Sequence, residues 1–455
     1  MSPTSYRTAP PRTLIVTTPA HRVKPRRAPV ASACTRIEIP PKAARRVERA
    51  SAGCGAPAWM SHVNHSAAKS LRLRLLEPLL HLGFALTGVG TVLLGSILPR
   101  LSAQWHLQDK DAGLLLLVQF AMSASGALLV RRNFWKTLVC GYGLMSGGAF
   151  AIVLLQQRSL PAFGVYGLGL GLAMTSTNML TGRRYPRRMG AALALLNFSW
   201  SAGSVACPLL AAQFLRHAAA SSAFVLVGLM ALPFAFVPLL GDGDDLHAST
   251  MPGPAPAGTK EATTIAYFAL LAFLYVGIEA TVGNWMSTYA SRTTAWTFAG
   301  STLAVAVFWA ALLLGRALTP VMLTRMPEQR LYRVSVFATI AGILVLLSAH
   351  TPLTILSGAA VTGLSLAPLF PLILALFLAE IGESNNAGWV FAVAGLGGAV
   401  LSWLTGIVSS DTGSLRIGLL VPGSADLLML LMIAWSRANP GPSANVLQPT
   451  IRGKI

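Results

Sequence analysis

A single acidic residue stands near the middle of a long apolar segment. Residues 266–289 are almost wholly apolar, and Glu279 lies among them with Tyr275, Asn284 and Trp285 nearby. A carboxylate at membrane depth costs about 2.5–3.5 kcal/mol on insertion scales, so it must face the protein interior, a partner or water. Residues 275 and 279 share one helical face. The pattern is typical of the lining of a solute pathway.

Two interpretations of Glu279 stay open. In the first, the carboxylate binds a substrate hydroxyl or exchanges a coupling cation. In the second, it serves helix packing, either protonated or paired with a Ser, Thr or Arg. We favour the first, because intramembrane acids default to functional roles. Asp426, in another apolar run, is a second candidate for a coupling-ion site, although a position at the bundle periphery would make it structural.

Several amides and aromatic side chains also fall at membrane depth. Amides suit sugar hydroxyls because each can donate and accept hydrogen bonds. Tryptophan offers a flat apolar face to the C–H side of a sugar ring. Together with Glu279, the candidates for binding a substrate are Gln119, Asn197, Trp200, Tyr275, Asn284 and Trp285. The alternative for the amides is interhelical hydrogen bonding, worth about 0.6 kcal/mol each.

No arrangement of residues indicates catalysis. The sequence has no Ser/His/Asp set, no metal-ligand spacing and no phosphate-binding loop, so we predict neither an enzyme nor a cofactor or metal site. The glycines of residues 167–171 have no preceding strand, and they predict close helix packing instead of a nucleotide site.

The composition is that of a polytopic membrane protein. Of the 455 residues, 54% are hydrophobic and 11% are charged, where a soluble domain would carry about 25% charge. The formal charge of +20 does not indicate nucleic-acid binding, because residues 1–74 alone hold 14 Lys or Arg against two acids. Continuous apolar runs exclude a barrel of alternating strands.

The apolar runs after residue 74 predict twelve membrane helices, each long enough to span a bilayer. We place them at 76–98, 111–130, 134–156, 161–181, 189–214, 222–240, 263–289, 297–318, 331–349, 353–378, 387–409 and 416–436. The polar, Pro/Gly-rich stretch 241–262 divides them into two sets of six. The short loops carry more Lys and Arg on the side of the amino terminus, which predicts that both termini are cytoplasmic.

The predicted organisation has five parts. A basic tail of residues 1–74 precedes a six-helix bundle (75–240), a cytoplasmic linker (241–262), a second six-helix bundle (263–437) and a carboxyl-terminal tail (438–455). Three interpretations of the basic tail stay open: a disordered segment, an organelle targeting segment, and an over-extended gene model with the true start at Met60. The third is slightly favoured.

Local stretches resemble the major facilitator superfamily, in its fucose/galactose/glucose permease-like branch. They are GVGTVLLGSILPRLSAQWHLQDKDAGLL after residue 87, FLYVGIEATVGNW in the seventh helix, APLFPLILAL in the tenth and GWVFAVAGLGGAVLSWLTG in the eleventh. The resemblance implies an all-α membrane protein of about twelve helices in two six-helix bundles. It also implies transport by alternating access around a central cavity.

The chain departs from this pattern at two places. The loop between the second and third helices normally carries Asp-Arg after Gly-x-x-x, but Val130 stands where the Asp is expected. The resemblance still implies a gating network of basic residues, formed here by Arg131, Arg132, Arg316 and Arg325. Proton-coupled fucose permeases use acids in helices 1 and 4, and this chain has none there, which argues against that route of coupling.

These observations predict a secondary active or facilitative transporter of a small polar solute, such as a sugar, in the plasma (inner) membrane. The expected partners are the solute, the lipid bilayer and H⁺ or Na⁺ as coupling ion, with no nucleic acid, and the protein is expected to be a monomer. A drug or metabolite exporter of the same superfamily is one alternative. A non-transporting membrane sensor or scaffold is another.

Overall fold

The computed structural model describes residues 58–130, 133–216, 218–240, 259–381 and 387–438, and within these ranges the regular structure is entirely helical. The α-helices, α1 to α14 in chain order, are Ala58–Trp105, Asp109–Leu129, Phe134–Leu155, Leu160–Arg184, Met189–Phe214, Ser222–Ala231, Thr259–Thr294, Phe298–Leu323, Glu328–Leu347, Pro352–Leu366, Leu369–Ile381, Ala387–Thr412, Leu415–Gly418 and Leu420–Ala438. Three 3-10 helices occupy Gln156–Arg158, Pro186–Arg188 and Leu232–Leu240.

These helices form twelve crossings in two sets of six, which confirms the predicted fold class. Ten helical stretches of the described chain are long and apolar enough to span a bilayer. The glycine-rich α4 and the shorter stretch Ser222–Val237 supply the other two. The tenth crossing consists of α10 and α11, and the twelfth consists of α13 and α14.

Helices extend beyond the predicted boundaries at several crossings. The first was predicted from residue 76 to 98, whereas α1 runs from Ala58 to Trp105. The seventh was predicted from 263 to 289, whereas α7 runs from Thr259 to Thr294. The apolar run marks only the part of a helix that lies in hydrocarbon, and the helix continues where its side chains turn polar. Residues 58–74, predicted as tail, are therefore helical.

Proline interrupts three of the predicted helices, because it lacks a backbone N–H and clashes with the preceding turn. The sixth crossing is α-helical only to Ala231 and then becomes a 3-10 helix that contains Pro233 and Pro238. The tenth breaks between α10 and α11 at Pro368. The twelfth, predicted as one helix, breaks between α13 and α14, because Pro422 cannot donate to the carbonyl of Gly418.

Glycines in α4 bring three helices into backbone contact. A Cβ placed at Gly171 would lie 1.9 Å from the carbonyl oxygen of Ser123 in α2. One placed at Gly169 would lie 2.3 Å from the backbone nitrogen of Met145 in α3. Only glycine permits so close an approach. The prediction that this run packs helices is confirmed.

The two six-helix sets, called here the first half (α1–α6) and the second half (α7–α14), meet along three pairs of helices. Helix α2 packs on α12, and α5 packs on α8. A Cβ at Gly95 of α1 would lie 2.5 Å from the Cα of Asn284 in α7. Helices α1, α7 and α12 end on one side of the bundle, and α2 begins there. We call this the rim side and the other the opposite side.

Candidate functional site

Helix α7 holds the acid that the sequence singled out. Glu279 lies inside the protein, its side chain 12% exposed. Tyr275, one turn earlier on the same face, donates its hydroxyl hydrogen to Oε2 of Glu279. The ring of Tyr275 is in turn stacked on Phe370 of α11, with ring centroids 5.5 Å apart. The carboxylate therefore faces neighbouring helices, not lipid.

An arginine from α8 completes the cluster. Nη2 of Arg316 lies 3.2 and 3.3 Å from the two oxygens of Glu279 and 3.4 Å from the hydroxyl of Tyr275. Nη1 of the same guanidinium donates to Oγ of Ser201, in α5 of the first half, at 3.2 Å. We call Glu279 and Arg316 the deep pair. Its contact with Ser201 ties the second half to the first at the centre of the molecule.

This geometry bears on two predictions. Glu279 was predicted to bind a solute, with pairing to an Arg as the alternative, and the structure shows such pairing. The two roles are compatible, because the Arg316 side chain remains 25% exposed. Arg316 was predicted to belong to a gating network; it lies beside Glu279, and a gating role stays a prediction. Whether either residue binds a solute stays a prediction.

Two tryptophans, one from each half, pack against each other next to Ser201. The rings of Trp200 in α5 and Trp309 in α8 meet edge to face, with centroids 5.6 Å apart and planes at 81°. The indole nitrogens of both are buried without a hydrogen-bond partner among the described residues. Trp200 directly precedes Ser201, which contacts Arg316. The pair thus offers apolar ring edges and two free donors beside the charged cluster.

The two candidate amides of the first half, Gln119 and Asn197, differ in burial. Gln119 is buried, its Nε2 donates to the carbonyl oxygen of Thr91 at 3.3 Å, and its Oε1 has no partner among the described residues. Asn197 is exposed and donates to the carbonyl of Leu193 in its own helix at 2.9 Å. Gln119 thus keeps a free acceptor inside the protein, whereas Asn197 lies away from the deep pair's contacts.

Asn284 and Trp285 pack against α12. Nδ2 of Asn284 lies 3.5 Å from the hydroxyl oxygen of Ser402, and Nε1 of Trp285 donates to the carbonyl of Ser402 at 3.0 Å. Further along α7, the hydroxyl of Tyr289 donates to the carbonyl of Leu346. These bonds hold the second half together. A binding role for Asn284 or Trp285 stays a prediction, and this packing does not favour it for Trp285.

An ion pair that sequence reasoning missed closes the rim side. Both terminal nitrogens of Arg292, at the end of α7, donate to the two oxygens of Asp109, at the start of α2, at 2.6 Å each. Oγ of Ser409 in α12 also donates to Asp109, at 2.5 Å, and the backbone nitrogen of Lys110 donates to Ser410 at 2.8 Å. We call Asp109 and Arg292 the rim pair.

The rim pair joins the two halves, with support from a cation–π contact. The guanidinium of Arg100 in α1 lies 4.2 Å from the ring centroid of Phe298, the first residue of α8. On the opposite side, residues 189–191 at the start of α5 are exposed. The described structure is therefore closed at the rim side.

The other predicted site residues are less informative. Arg131 and Arg132 lie outside the described residues, and Arg325 is exposed after the end of α8. Asp426 is fully buried in α14. The described residues include no group of three or more His, Cys, Asp or Glu able to hold a metal ion.

A family model described as the Major Facilitator Superfamily matches residues 80–387. The chain belongs to this superfamily. Members of the superfamily are transporters embedded in the membrane by many helices, so this protein is an integral multi-pass membrane transporter and not an enzyme.

Two solved structures show the fold of this superfamily. One is described as the major facilitator superfamily transporter FucP in the outward conformation, with a TM-score of 0.56 at 16% identity, covering 79% of this chain and 98% of that one. The other is the Escherichia coli fucose:proton symporter FucP, variant N162A, with a TM-score of 0.53 at 15% identity and the same coverage.

Two curated proteins are also similar. Bypass of stop codon protein 6 of Saccharomyces cerevisiae is 22% identical over 79% of this chain and 81% of its own length. The glucose/mannose transporter GlcP of Bacillus subtilis is 29% identical over 35% of this chain and 40% of its own length. These similarities agree with the fucose/galactose/glucose permease-like branch of the superfamily.

Proposed function

We propose that this major facilitator protein carries a neutral monosaccharide across the membrane, binding it at the deep pair and at Trp200 and Trp309. The observation that carries the proposal is the cluster of Glu279, Arg316 and Ser201, which spans both halves and is flanked by an aromatic pair. The names of FucP and GlcP, carriers of fucose and of glucose or mannose, support a sugar as the substrate class.

The chemistry of the cluster suits a polyol without net charge. Glu279 and Arg316 neutralise each other, so a charged ligand would leave one uncompensated charge in a poorly solvated place. A sugar hydroxyl can donate to the carboxylate and accept from the guanidinium at the same time. The edge-to-face tryptophans supply apolar surface for the C–H side of the ring.

Alternating access would proceed by rocking the two halves about this cluster. The described conformation, closed at the rim side, is then one end state, in which the site opens toward the opposite side. The excess of Lys and Arg in the loops of the opposite side supports a cytoplasmic location for that side, and hence an inward-facing state in a plasma (inner) membrane. Breaking the rim pair would begin the outward-facing state.

The test is uptake by purified protein in liposomes, with a panel of neutral monosaccharides and of amphipathic drugs. We expect saturable uptake or exchange of at least one monosaccharide, without broad competition by the drugs. Glu279→Gln should weaken apparent affinity about ten- to hundredfold, since hydrogen bonds to charged groups contribute about 1.5–3 kcal/mol. Broad drug competition with no sugar flux would favour the exporter instead, and binding without any flux would favour a sensor.

A further inference from the structure

One carboxylate of the second half is buried without any partner. Asp426 of α14 is 0% exposed, and neither of its carboxylate oxygens has a hydrogen-bond partner among the described residues. Its helix packs against α7, α9, α12 and α13, within the second half. Asp426 is not part of the deep pair, and the superfamily resemblance assigns it no role.

A buried phenol interacts with Asp426. Tyr332, near the start of α9, interacts electrostatically with Asp426, and Tyr267 of α7 interacts in turn with Tyr332. The hydroxyl of Tyr332 is itself buried without a hydrogen-bond partner among the described residues. Two polar groups that lack partners thus lie near each other inside the bundle.

No cation balances Asp426 within the described part of the chain. The described ion pairs join Arg184 to Glu77, Arg292 to Asp109 and Arg316 to Glu279. On the helices packed against α14, Arg333 donates to the carbonyl of Gln329. Arg416 donates to the carbonyl of Ala349, and Asp411 is exposed at the end of α12.

Among the described residues, an ionised carboxylate in this setting would have neither a hydrogen-bond donor nor a counter-ion, and its side chain is buried away from bulk solvent. Burying such a charge is far more costly than burying a neutral polar group, and the ordinary response of the group is to take up a proton. The neutral acid carries no charge that needs a counter-ion, and its O–H becomes a hydrogen-bond donor. Intramembrane acids of this kind mark proton or ion pathways in transporters.

We propose that Asp426 is a proton-binding site, protonated in the described conformation, with its proton taken from bulk water and returned to it when the second half rearranges. The deep pair needs no proton, because Arg316 already balances Glu279. Solute binding and proton binding would then lie on different helices of the same half. That proton binding drives transport rests on the proposed function, whereas proton binding itself does not.

Infrared spectroscopy of the purified protein tests proton binding directly. We expect a carbonyl band of a protonated carboxylic acid at neutral pH that disappears in Asp426→Asn and persists in Glu279→Gln. In Tyr332→Phe the band should remain but shift, because the acid loses its neighbour. A spectrum without such a band, or one unchanged by Asp426→Asn, would overturn the proposal. The Tyr332 variant keeps the test decisive if Asp426→Asn does not fold.

Thermal stability gives a second readout that does not require a transport substrate. A group that must be neutral in the fold costs stability as pH rises, so the melting temperature of the wild-type protein should fall toward alkaline pH. Asp426→Asn should flatten that slope, and Glu279→Gln should not. Replacing choline chloride with sodium chloride at equal ionic strength tests for a sodium site. If this stabilises the wild type but not Asp426→Asn, and the acid band is absent, Asp426 binds sodium and the proton-site proposal is wrong.

Transport completes the test. A pH gradient should drive solute accumulation in the wild type, while Asp426→Asn should still exchange solute across the membrane but no longer accumulate it. Unchanged accumulation in that variant would overturn the coupling role. If no sugar is transported at all, the proposed function fails while the infrared result still decides whether Asp426 binds a proton.

Discussion

The rim pair and the deep pair use the same two chemical groups in different ways. In the rim pair, the two terminal nitrogens of Arg292 each bond to one oxygen of Asp109 at 2.6 Å, and the Arg292 side chain is 48% exposed. In the deep pair, one nitrogen of Arg316 is shared among three oxygens at 3.2–3.4 Å. Bidentate pairs are short, directional and strong.

The difference suits two tasks. The rim pair joins α2 to α7 across the two halves, so its bonds must break when the rim side opens. The deep pair lies within the second half and, among the described hydrogen bonds, reaches the first through Ser201. Its shared donors can be reassigned to a ligand oxygen without separating Glu279 from Arg316. The rim pair therefore suits the stabilisation of one conformation, and the deep pair suits the binding of a ligand.

Removing one partner of the deep pair should have the largest effect. Arg316→Gln leaves Glu279 buried without a cation, which costs about 3–5 kcal/mol of stability. The double variant Glu279→Gln with Arg316→Gln should recover most of this loss, since no charge remains. Melting temperatures of the three proteins in lipid nanodiscs measure the effect. Equal losses in the single and double variants would show that the pair is not energetically coupled.

Breaking the rim pair should change conformation more than stability. Asp109→Asn loses charge-assisted hydrogen bonds worth about 1.5–3 kcal/mol, so the ratio of rim-open to rim-closed protein should rise about ten- to hundredfold. Spin labels at the exposed positions His106 and Asp411, in a cysteine-free background, report the distance across the rim. Asp111→Asn removes an equal charge two residues away and should leave that distance distribution unchanged.

A substitution in the aromatic pair, Trp200 and Trp309, should change solute affinity without changing the conformation of the rim. Trp309→Phe weakens an edge-to-face contact worth about 0.5–1.5 kcal/mol, so solute affinity should fall severalfold while the rim distances stay as they are. Trp135→Phe, at a buried tryptophan of α3 in the first half, is the matched control. A change in rim distances without a change in affinity would move the proposed binding site away from these rings.

Salt should have the smallest effect, and only at the rim. The exposed guanidinium of Arg292 is open to screening, so raising ionic strength should shift the rim toward the open form by under about 1 kcal/mol. The same spin labels measure this shift. Asp109→Asn should no longer respond to salt, and a response that survives the substitution would assign the effect to other charges.

Local patterns in the sequence predicted the features that depend on one helix at a time. The twelve crossings follow from apolar runs, and the close packing of α4 follows from its glycines. Glu279 and Tyr275 lie together because four residues make about one helical turn. Each of these features needs no knowledge of how helices are rotated against each other.

Contacts between helices could not be predicted in the same way. Asp109 and Arg292 are 183 residues apart, and Arg316 is 37 residues from Glu279. Which side chains meet depends on the rotation and depth of each helix, and these are set by the packing of the whole bundle. The sequence shows that Asp109 lies in the first turn of α2 and Arg292 in the last turn of α7. No local pattern indicates that these two residues pair.

The glycine contacts of α4 determine how movement spreads through the first half. Because α4 lies directly on the backbone of α2 and α3, these three helices cannot slide past one another without a steric clash. Asp109 lies in α2, so a force on this carboxylate would move α2, α3 and α4 together as one rigid unit. A small rotation of that unit near the proposed binding site would then produce a larger displacement at the membrane surface.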